Sequence, residues 1–374
     1  MKKKLTDLCD IQYGYAFDSK LFTNDEGYIP LIRIRDVQRG FSETYYSGKY
    51  PVEYVVHPGD LLVGMDGEFN ISRWKDRDAL LNQRVCKITA KNGTSEEYIR
   101  FALSKALKEI EQRTSFVTVK HLSAKELNRL VLDIPCYSSQ VHIVGLCSSL
   151  ERIIEKRKKQ LQILDELIKA RFVEMFGDPA DISRKDKVEL SEICEKITDG
   201  EHGSVARVPN GHPFLNAKQI LKNGRIDWDT ITYVGDEDHQ RIYKRCNPVE
   251  GDILLTTTGT IGNVAIMPKA EEVSMDRGIT LIKIDRQKVT SEFVAELLKQ
   301  PSIQTEMGVN VHASAIGHLF MNRVKKLPAI LPSMESQAEF TAFVRQVDKS
   351  KSVVKKSLDE TQLLFDSLMQ KYFG

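Results

Sequence analysis

The sequence predicts an α+β protein with two copies of one plan, in which a globular α/β domain is followed by a long helix and the two long helices pair. Three observations support this prediction. A helical pattern runs through residues 138–177, a second one runs through residues 336–374, and the sequence before each helix is repeated. With 374 residues, 41% of them hydrophobic, the chain is long enough for two globular domains with their own cores.

The first long helix is predicted by the spacing of its apolar residues. They recur at intervals of three, four and seven positions, charged residues fill most other positions, and the segment contains no proline. Such a helix measures roughly 58 Å at about 1.5 Å per residue. Because one small domain cannot cover an apolar stripe of that length, a second long helix must. The residues expected to pair the helices are Leu150, Ile154, Leu161, Leu164, Ile168, Val347, Val354, Leu358, Phe365 and Leu368.

The second long helix is in register with the first. Pro135 and Pro332 are separated by 197 residues, as are Gln140 and Gln337, and this separation holds through the helices. It is 192 at a repeated Gly-Asp pair and 185 near the start of each copy. The chain therefore contains an internal duplication in which the helices are the constant part. The predicted boundaries are 1–135 for the first domain, 136–178 for the central helix, 179–332 for the second domain and 333–374 for the C-terminal helix.

Composition narrows the class of protein. The formal net charge is only +2, so any nucleic-acid surface depends on local clusters of basic residues. The six cysteines include no C-x-x-C pair, which favours reduced thiols in a cytoplasmic protein over disulfides or a zinc site. The basic N-terminus is not followed by an apolar segment, and no run of about 18 apolar residues occurs. We therefore expect neither a signal peptide nor a membrane span.

In the first domain, apolar and basic residues alternate over residues 28–35, which predicts a strand. The alternation places Arg33 and Arg35 on one face of that strand. These arginines either contact phosphates or bases, or they belong to a solvated strand face. Arg84 ends an Asn-Gln-Arg segment before another predicted strand, and side chains of these three types make bidentate contacts with bases in the major groove.

Two loops of the first domain hold further candidates. Arg73 and Lys75 flank Trp74 in a polar loop, which suits contact with a nucleic-acid backbone combined with base stacking. Alternatively, Trp74 is anchored in the core and its charged neighbours are solvated. Lys120 and His121 follow a predicted amphipathic helix. Since no nucleophile or carboxylate lies at a spacing that supports catalysis, we interpret His121 as a hydrogen-bonding group.

Equivalent candidates occur in the second domain. Lys218 occupies the place of the two strand arginines of the first domain. Thr258 and Asn263 lie in a threonine- and glycine-rich segment, which is either a phosphate-binding loop of backbone N–H groups or a hairpin turn. The segment matches neither a Walker motif nor G-x-G-x-x-G. The remaining candidates for contact with nucleic acid are Arg277, His312 and Ser314.

The matched loops occupy the same positions in both copies but contain different residues. MDGEFNISRW corresponds to TTTGTIGNVA, and IRIRDVQRG corresponds to NAKQILKNG. A duplicated protein that binds the same ligand twice is expected to keep the same contacts in each half. A repeated frame with different exposed polar residues therefore indicates two surfaces that recognise two different targets.

Over nearly its whole length, the chain resembles the specificity subunits of type I restriction-modification enzymes. The order of domain, helix, domain and helix is one feature of this resemblance, and both copies place a glutamine five residues after the proline that precedes the helix. The segments that carry it are PGDLLVG and EGDILLTTTGTIGN, IPCYSSQVHIV and LPSMESQAEFTAFV, and RFVEMFGDP and LMQKYFG. No one segment is diagnostic, but their combination in duplicate is specific.

The resemblance implies a fold, a function and partners. Each globular unit is expected to be a target recognition domain for one half of a split, asymmetric DNA sequence. The helices are expected to pair antiparallel with pseudo-two-fold symmetry and to set the distance between the domains. Expected partners are double-stranded DNA with a bipartite target, two methyltransferase subunits that dock on the helices, and the restriction and translocase subunits of the full complex. S-adenosylmethionine belongs to the methyltransferase subunits, so we expect no cofactor, metal or catalytic residue here.

Two other classes of protein are weighed against this one. A non-catalytic coiled-coil adapter with two protein-binding heads shares the helices, but different polar loops on a repeated frame favour DNA recognition. An enzyme needs a clustered nucleophile, acid–base pair or metal-ligand set, and none is visible in the sequence. The basic run at residues 156–159 is a docking surface for methyltransferase subunits, a phosphate contact or a solvated helix face.

Overall fold

A computed structural model describes residues 1–113, 121–181, 183, 187–309 and 317–374 of the chain. The chain divides into two units. Unit 1 comprises Met1–Lys158 and Lys356–Gly374, and unit 2 comprises Lys159–Lys355. Each unit therefore combines one of the globular domains with a part of each long helix.

Unit 1 contains short strands, short helices and the first part of the central helix. Its strands are β1 (Lys2–Lys4), β2 (Cys9–Tyr13), β3 (Phe22–Thr23), β4 (Ile29–Ile32), β5 (Tyr45–Tyr46), β6 (Val55–Val56), β7 (Leu61–Gly64), β8 (Ile71–Arg73), β9 (Ala79–Leu81), β10 (Val85–Ala90) and β11 (Val131–Asp133). Its helices are α1 (Leu5–Leu8), α2 (Ile34–Arg39), α3 (Glu96–Arg113), α4 (Ala124–Arg129) and the start of α5 (Tyr137–Phe176). Short 3₁₀ helices cover Ser19–Leu21 and Val52–Tyr54.

Unit 2 contains the same kinds of element. Its strands are β12 (Lys187–Glu189), β13 (Cys194–Asp199), β14 (His212–Leu215), β15 (Thr232–Val234), β16 (Ile253–Thr256), β17 (Val264–Ile266), β18 (Ser274–Met275), β19 (Ile279–Ile284) and β20 (Pro328–Ile330). Its helices are α6 (Asp236–Arg245), α7 (Ser291–Leu298), α8 (Pro301–Val309), α9 (Met321–Lys325) and the start of α10 (Met334–Phe373). Short 3₁₀ helices cover Leu190–Ile193 and Ala217–Gln219.

The two units repeat one strand topology. An antiparallel sheet has the order β2-β10-β7-β8 in unit 1 and β13-β19-β16-β17 in unit 2. β7 and β16 have strands on both sides, and they are buried at every position, as their nearly continuous apolar sequences require. A further sheet of each unit contains a parallel pair, β4 with β9 and β14 with β18. The duplication in the sequence is therefore also a duplication of topology.

The two long helices begin and end at equivalent residues. α5 and α10 each contain 40 residues, and both of their bounds differ by 197 positions. In unit 1, Ile143 near the start of α5 belongs to the same core as Met369 near the end of α10. In unit 2, the rings of Phe172 near the end of α5 and Phe340 near the start of α10 have centroids 5.5 Å apart. The helices therefore run antiparallel within each unit.

The residues expected to pair the helices are all buried or half-buried on α5 and α10. Four are buried: Ile154, Ile168, Val347 and Leu358. Six are half-buried: Leu150, Leu161, Leu164, Val354, Phe365 and Leu368. Lys351 is a charged member of the same stripe in α10. Its ammonium nitrogen lies 2.6 Å from the Asp165 carboxylate, which pairs the charge inside unit 2.

One prediction about the first domain is wrong. Residues 28–35 do not form one strand, because β4 ends before Arg33 and α2 begins directly after it, so Arg33 and Arg35 do not share a strand face. The buried Asp36 carboxylate accepts a hydrogen bond from the backbone N–H of Arg33 at 2.8 Å. This contact closes the first turn of a helix. The alternation of apolar and basic residues predicted a strand, but the hydrogen bond between Arg33 and Asp36 stabilises the start of a helix instead.

Candidate nucleic-acid interface

Unit 1 has an open cleft beyond the ends of its two parallel strands. Because β4 and β9 are parallel neighbours, the segments that begin at Arg33 and Asn82 leave the sheet at the same edge. The cleft has a volume of about 480 Å³. We call it cleft 1, and it is lined by Phe17, Ser19, Phe22, Ile32, Arg33, Ile34, Arg35, Asn82, Gln83, Arg84 and Val85.

Unit 2 has a cleft at the equivalent place. The segments that begin at Asn216 and Asp276 follow the parallel strands β14 and β18. The cleft has a volume of about 520 Å³. We call it cleft 2, and it is lined by Asn216, Ala217, Lys218, Thr258, Gly259, Thr260, Asp276, Arg277 and Gly278.

Both clefts depend on a glycine at the same place in each unit. A Cβ atom on Gly14 would lie 2.0 Å from the carbonyl oxygen of Asn82, and one on Gly200 would lie 2.2 Å from the carbonyl oxygen of Met275. Such a close approach of two backbone segments excludes any other residue. The glycine thus permits the end of the second parallel strand to approach closely, and the segment that follows this strand forms one wall of the cleft.

Cleft 1 brings together three of the predicted residues, Arg33, Arg35 and Arg84. Arg33 is exposed, and the side chains of Arg35 and Arg84 are 54% and 51% exposed. Arg35 has an ion pair at 3.7 Å with the buried Asp36. The amides of the neighbouring Asn82 and Gln83 add both donors and acceptors. The lining is therefore positively charged and suited to phosphate and base edges.

Asp66 connects Arg84 with His121 beside cleft 1. Its carboxylate oxygen Oδ2 lies 3.3 Å from Nε of Arg84. Its other oxygen, Oδ1, contacts Nδ1 of His121, and a backbone bridge joins the same two residues. His121 therefore acts as a hydrogen-bonding group, as the sequence interpretation holds.

Cleft 2 brings together Lys218, Thr258 and Arg277. Lys218 and Arg277 are exposed, and neither forms a salt bridge with the residues that the structure describes. Burial raises the pKa of the Asp276 carboxyl, which accepts a hydrogen bond from the backbone N–H of Gly278 at 2.8 Å. Cleft 2 therefore has an acidic group in its wall, whereas the lining of cleft 1 has none.

A second cavity of about 610 Å³ adjoins cleft 2 and shares Thr258 and Arg277 with it. The Nδ1 atom of His318 lies 2.7 Å from Oγ1 of Thr258. Burial lowers the pKa of His318, and the positive charge of Arg277 lowers it further. The folded state therefore favours the neutral imidazole. The other lining residues are Asp199, His202, Phe320, Met321 and Asn322.

Arg73 and Trp74 have structural roles outside the clefts. Nη1 of Arg73 lies 2.8 Å from the Glu96 carboxylate, and Nε lies 2.5 Å from that of Glu97, so Arg73 ties β8 to α3. Trp74 is 1% exposed and donates a hydrogen bond from Nε1 to the carbonyl oxygen of Arg77 at 2.7 Å. Trp74 is therefore a core anchor, as the alternative holds, but its neighbour Arg73 is paired with two glutamates and is not simply solvated.

The remaining predicted residues do not line either cleft. Lys75 is exposed, and its side chain packs beside Gly40. The Asn263 amide donates a hydrogen bond to the carbonyl oxygen of Ile220 at 2.8 Å, in the turn of the hairpin formed by β16 and β17. The hairpin alternative for this segment is therefore confirmed. The predicted residues that lie outside the described part of the chain are Lys120, His312 and Ser314.

Sequence reasoning missed Asp66, Asn216 and Asp276 as members of these surfaces. The duplication contained a signal for the first of them. The separation of 192 residues at the Gly-Asp pair also matches Asp66 with Thr258, which was already a candidate. The other two directly follow parallel strands, and this position becomes visible only when the strands are paired.

Among the residues that the structure describes, no three histidine, cysteine, aspartate or glutamate side chains are arranged to hold a metal ion. Within the same part of the chain, the helices are all too short or too polar for a membrane span.

Comparison with known proteins gives consistent matches. A family model described as type I restriction modification DNA specificity domain matches residues 1–164 and 185–361. The EcoBI specificity subunit of Escherichia coli is 29% identical, over 100% of this chain and 85% of that protein. The solved structure of an S subunit of a type I restriction-modification system from M. genitalium has a TM-score of 0.53 at 17% identity, over 100% of this chain and 96% of the other. A chain from a structural study of type I R-M complex assembly and conformational transition has a TM-score of 0.56 at 14% identity, over 100% and 97%.

Proposed function

Since the chain belongs to the type I restriction-modification DNA specificity family, we propose that cleft 1 and cleft 2 each recognise one half of a split, asymmetric DNA target. The family match confirms the resemblance found in the sequence, and with it the prediction of a DNA-specificity protein rather than an enzyme. The likeness to solved S subunits supports the same fold.

The observation that carries this proposal is one frame with two different linings. Arg33 and Asn216 both follow the first parallel strand, and the backbone N–H of each donates to a side chain three residues ahead. Arg84 and Gly278 each lie three residues after the second parallel strand, and they are equivalent. The carbonyl oxygen of each accepts a hydrogen bond from the backbone N–H of the residue that directly follows the central strand, which is β7 in unit 1 and β16 in unit 2. The guanidinium of Arg33 thus corresponds to the carboxamide of Asn216, and that of Arg84 corresponds to a glycine without a side chain. The two clefts therefore cannot prefer the same bases.

The chemistry of both linings suits double-stranded DNA. Exposed lysine and arginine side chains contact phosphates and fix the register, while amides and guanidinium groups discriminate base edges. The net charge of the whole chain is only +2. We infer that the partner subunits supply part of the electrostatic attraction to DNA.

The proposal extends to the long helices. We infer that their length, about 60 Å at 1.5 Å per residue, fixes the spacer between the half-sites, and that their outer faces dock two methyltransferase subunits. Large contiguous apolar patches on a protein surface mark sites of interaction with other proteins. The exposed large hydrophobic side chains of α5 are Tyr137, Val141, Leu146, Ile153, Ile163, Leu167 and Val173. The basic run at residues 156–159 lies between them in the sequence.

The remaining partners follow from the same proposal. We infer that S-adenosylmethionine binds to the methyltransferase subunits and that this chain holds no cofactor of its own. Restriction and translocase subunits would complete the assembly, which would act on DNA in the cytoplasm. A coiled-coil adapter with two protein-binding heads is not favoured, because the matching family model is a DNA specificity domain.

Methylome sequencing of cells with and without this chain tests the proposal. Deletion should abolish methylation of one split, asymmetric motif and leave other modified motifs unchanged. Complementation with the full chain should restore the motif. An unchanged methylome in cells shown to express the methyltransferase subunits would contradict the proposal and favour the adapter.

A further inference from the structure

The arginine in cleft 1 with the best-defined orientation is Arg84. Its Nε atom lies 3.3 Å from Oδ2 of Asp66, whose side chain is only 21% exposed. The other oxygen of Asp66 is engaged by Nδ1 of His121. One carboxylate oxygen of Asp66 therefore contacts His121, and the other contacts Arg84.

This contact leaves the outer edge of the guanidinium available. Nη1 of Arg84 lies 3.5 Å from Nδ1 of His121, and this nitrogen cannot accept a hydrogen bond from Arg84 because it donates its proton to Asp66. Among the described residues, Nη2 of Arg84 donates no hydrogen bond. The side chain is 51% exposed and lines cleft 1. The two terminal nitrogens can therefore donate together to a ligand in the cleft.

Arg73 shows what a purely structural arginine looks like in the same unit. Its Nε and Nη1 atoms donate to two carboxylates and to the carbonyl oxygen of Gly59, and its side chain is 33% exposed. It lines no cleft. Arg84 differs from Arg73 in its contacts and in its position. It has one acidic partner, which lies on the Nε side of the guanidinium, and its terminal nitrogens face cleft 1.

Unit 2 lacks this arrangement. Thr258 stands in the place of Asp66 and contacts His318 as Asp66 contacts His121. Gly278 stands in the place of Arg84, since the carbonyl oxygens of both residues accept from the backbone N–H that follows the central strand. The histidine is thus common to both units, whereas the carboxylate and the arginine occur together only in unit 1.

Resting on the proposed function, we propose that Arg84 reads a guanine in the half-site bound by unit 1, with Nη1 and Nη2 donating to O6 and N7, and that Asp66 is its positioning residue. Guanine alone presents two adjacent acceptors in the major groove, whereas adenine presents N7 beside an amino group that repels a second donor. A side chain fixed by a second residue discriminates better than a freely rotating one. A lysine in its place keeps the charge but loses the two-pronged geometry.

The test measures base preference in the assembled complex of this chain with its methyltransferase subunits. Binding to a library of duplexes randomised in both half-sites is followed by sequencing of the bound fraction. The wild type should require guanine at one position of one half-site. Arg84→Ala and Arg84→Lys should lose that requirement on the order of 10- to 100-fold, and Asp66→Asn should weaken it less. The other half-site should be unchanged in all three variants.

Two controls separate base reading from charge and folding. Arg39→Ala also removes an exposed arginine of unit 1, one that pairs with Glu43 at 3.6 Å and lies outside cleft 1, and it should leave the base preference intact. Replacing the required guanine with 7-deazaguanine removes N7. This replacement should weaken binding by the wild type several-fold and should not affect Arg84→Ala.

Each remaining outcome overturns the inference in a recognisable way. If the Arg84→Ala complex still selects two half-sites and still requires the guanine, the inference is wrong and the proposed function stands. An equal loss of affinity for all sequences in Arg84→Ala identifies a phosphate contact and also contradicts it. Absence of any selected sequence with the wild-type complex contradicts both the inference and the proposed function.

Discussion

Unit 1 and unit 2 share the residues whose polar atoms are used inside the fold, and they differ in the residues that face the clefts. The glutamine of the repeated Pro–Gln pattern shows the first class. Gln337 is 0% exposed, accepts a hydrogen bond from the backbone N–H of Thr290 at 2.9 Å and donates to the carbonyl oxygen of Lys288 at 2.9 Å. Gln140 makes the equivalent contact with the backbone N–H of Ser95 at 2.8 Å. Each glutamine joins a long helix to the start of a helix in its own domain.

The repeated Gly-Asp pair has an equally internal role. The carboxylates of Asp60 and Asp252 each accept from a backbone N–H three residues earlier, at 2.9 Å in both cases. Each also pairs with a lysine of the adjacent strand, Lys87 at 3.5 Å and Lys283 at 2.5 Å. The repeated motifs that carry the family resemblance therefore specify the frame. Target choice depends on residues that the two copies do not share.

The largest effect is expected from exchanging one domain. Replacing residues 1–135 with those of a relative that has a different target should change one half-site and leave the other intact, because the two clefts are built by separate units. Loss of the original half-site should cost at least about 1,000-fold in affinity, since specific binding exceeds non-specific binding by that factor or more. Methylome sequencing of cells with the hybrid measures both half-sites at once.

The matched control is the reciprocal exchange of residues 179–332. It should change only the half-site that the first hybrid retains. If either hybrid altered both half-sites, the assignment of one half-site to each unit would be wrong.

The sequence was sufficient to predict the duplication and the two long helices that pack together. An apolar repeat over 40 residues is a strong signal, and a second copy at a separation of 197 positions confirms each assignment. Arg33 and Arg35 show where such reasoning fails. Their alternation predicted a strand, but the hydrogen bond from Arg33 to Asp36 depends on where β4 ends. Propensity does not determine that boundary.

The clefts were only partly predictable for a related reason. Arg73 and Arg84 have the same chemistry, but the first is bound by Glu96 and Glu97 and the second faces cleft 1. Those glutamates lie more than twenty positions further along the chain. Which arginine is free for DNA is thus decided by tertiary contacts. Pairing of the parallel strands, which brings two distant segments to one edge, is equally invisible in a local pattern.

The next largest effect concerns a difference between the cores. Phe172 is 0% exposed and packs on Phe176, Phe293 and Phe340, with ring centroids 5.2 to 5.5 Å apart. At the position 197 residues later, unit 1 has Met369. Phe172→Ala should lower the free energy of unfolding by about 3–5 kcal/mol because it leaves a cavity. Urea denaturation of the full chain measures the change.

Phe172→Met introduces the unit 1 residue and serves as the control. It should cost less than about 1.5 kcal/mol, since a flexible side chain of similar volume refills the site. Hydrogen-exchange mass spectrometry should locate the loss of protection in unit 2. A loss of similar size in both variants would contradict the cavity explanation.

A smaller effect is expected at the buried glutamines that both units share. Gln337→Ala should lower the free energy of unfolding by about 1–3 kcal/mol, because it leaves the N–H of Thr290 and the carbonyl oxygens of Lys288 and Pro332 without partners. Gln140→Ala should cost less, since one of its hydrogen bonds is as long as 3.5 Å. Urea denaturation of the two variants gives the comparison directly.

Gln337→Glu provides a sharper version of the same test. A glutamate has the same shape, but its carboxylate cannot donate to the two carbonyl oxygens. The variant should therefore be less stable than Gln337→Ala at about pH 7.5, and it should recover as the pH falls and the carboxyl becomes protonated. A variant as stable as the wild type at neutral pH would show that the two donated hydrogen bonds contribute nothing.

The smallest effect concerns the histidine that both units contain. Burial and the charge of Arg277 lower the pKa of His318 below its ordinary value, and Asp199 partly opposes them. The folded state thus favours the neutral imidazole. This contribution to the free energy of unfolding is complete above about pH 6.5 and is lost as the pH falls through the lowered pKa, because the unfolded chain takes up the proton more readily.

His318→Gln removes this pH-dependent contribution. The difference in stability between wild type and variant should therefore shift against the wild type between about pH 7.5 and about pH 5.5. Thermal denaturation at both pH values measures it, with His142→Gln on the exposed face of α5 as the control for losing one histidine. A difference that is constant with pH, or one that moves in favour of the wild type on acidification, would show that His318 is not held neutral.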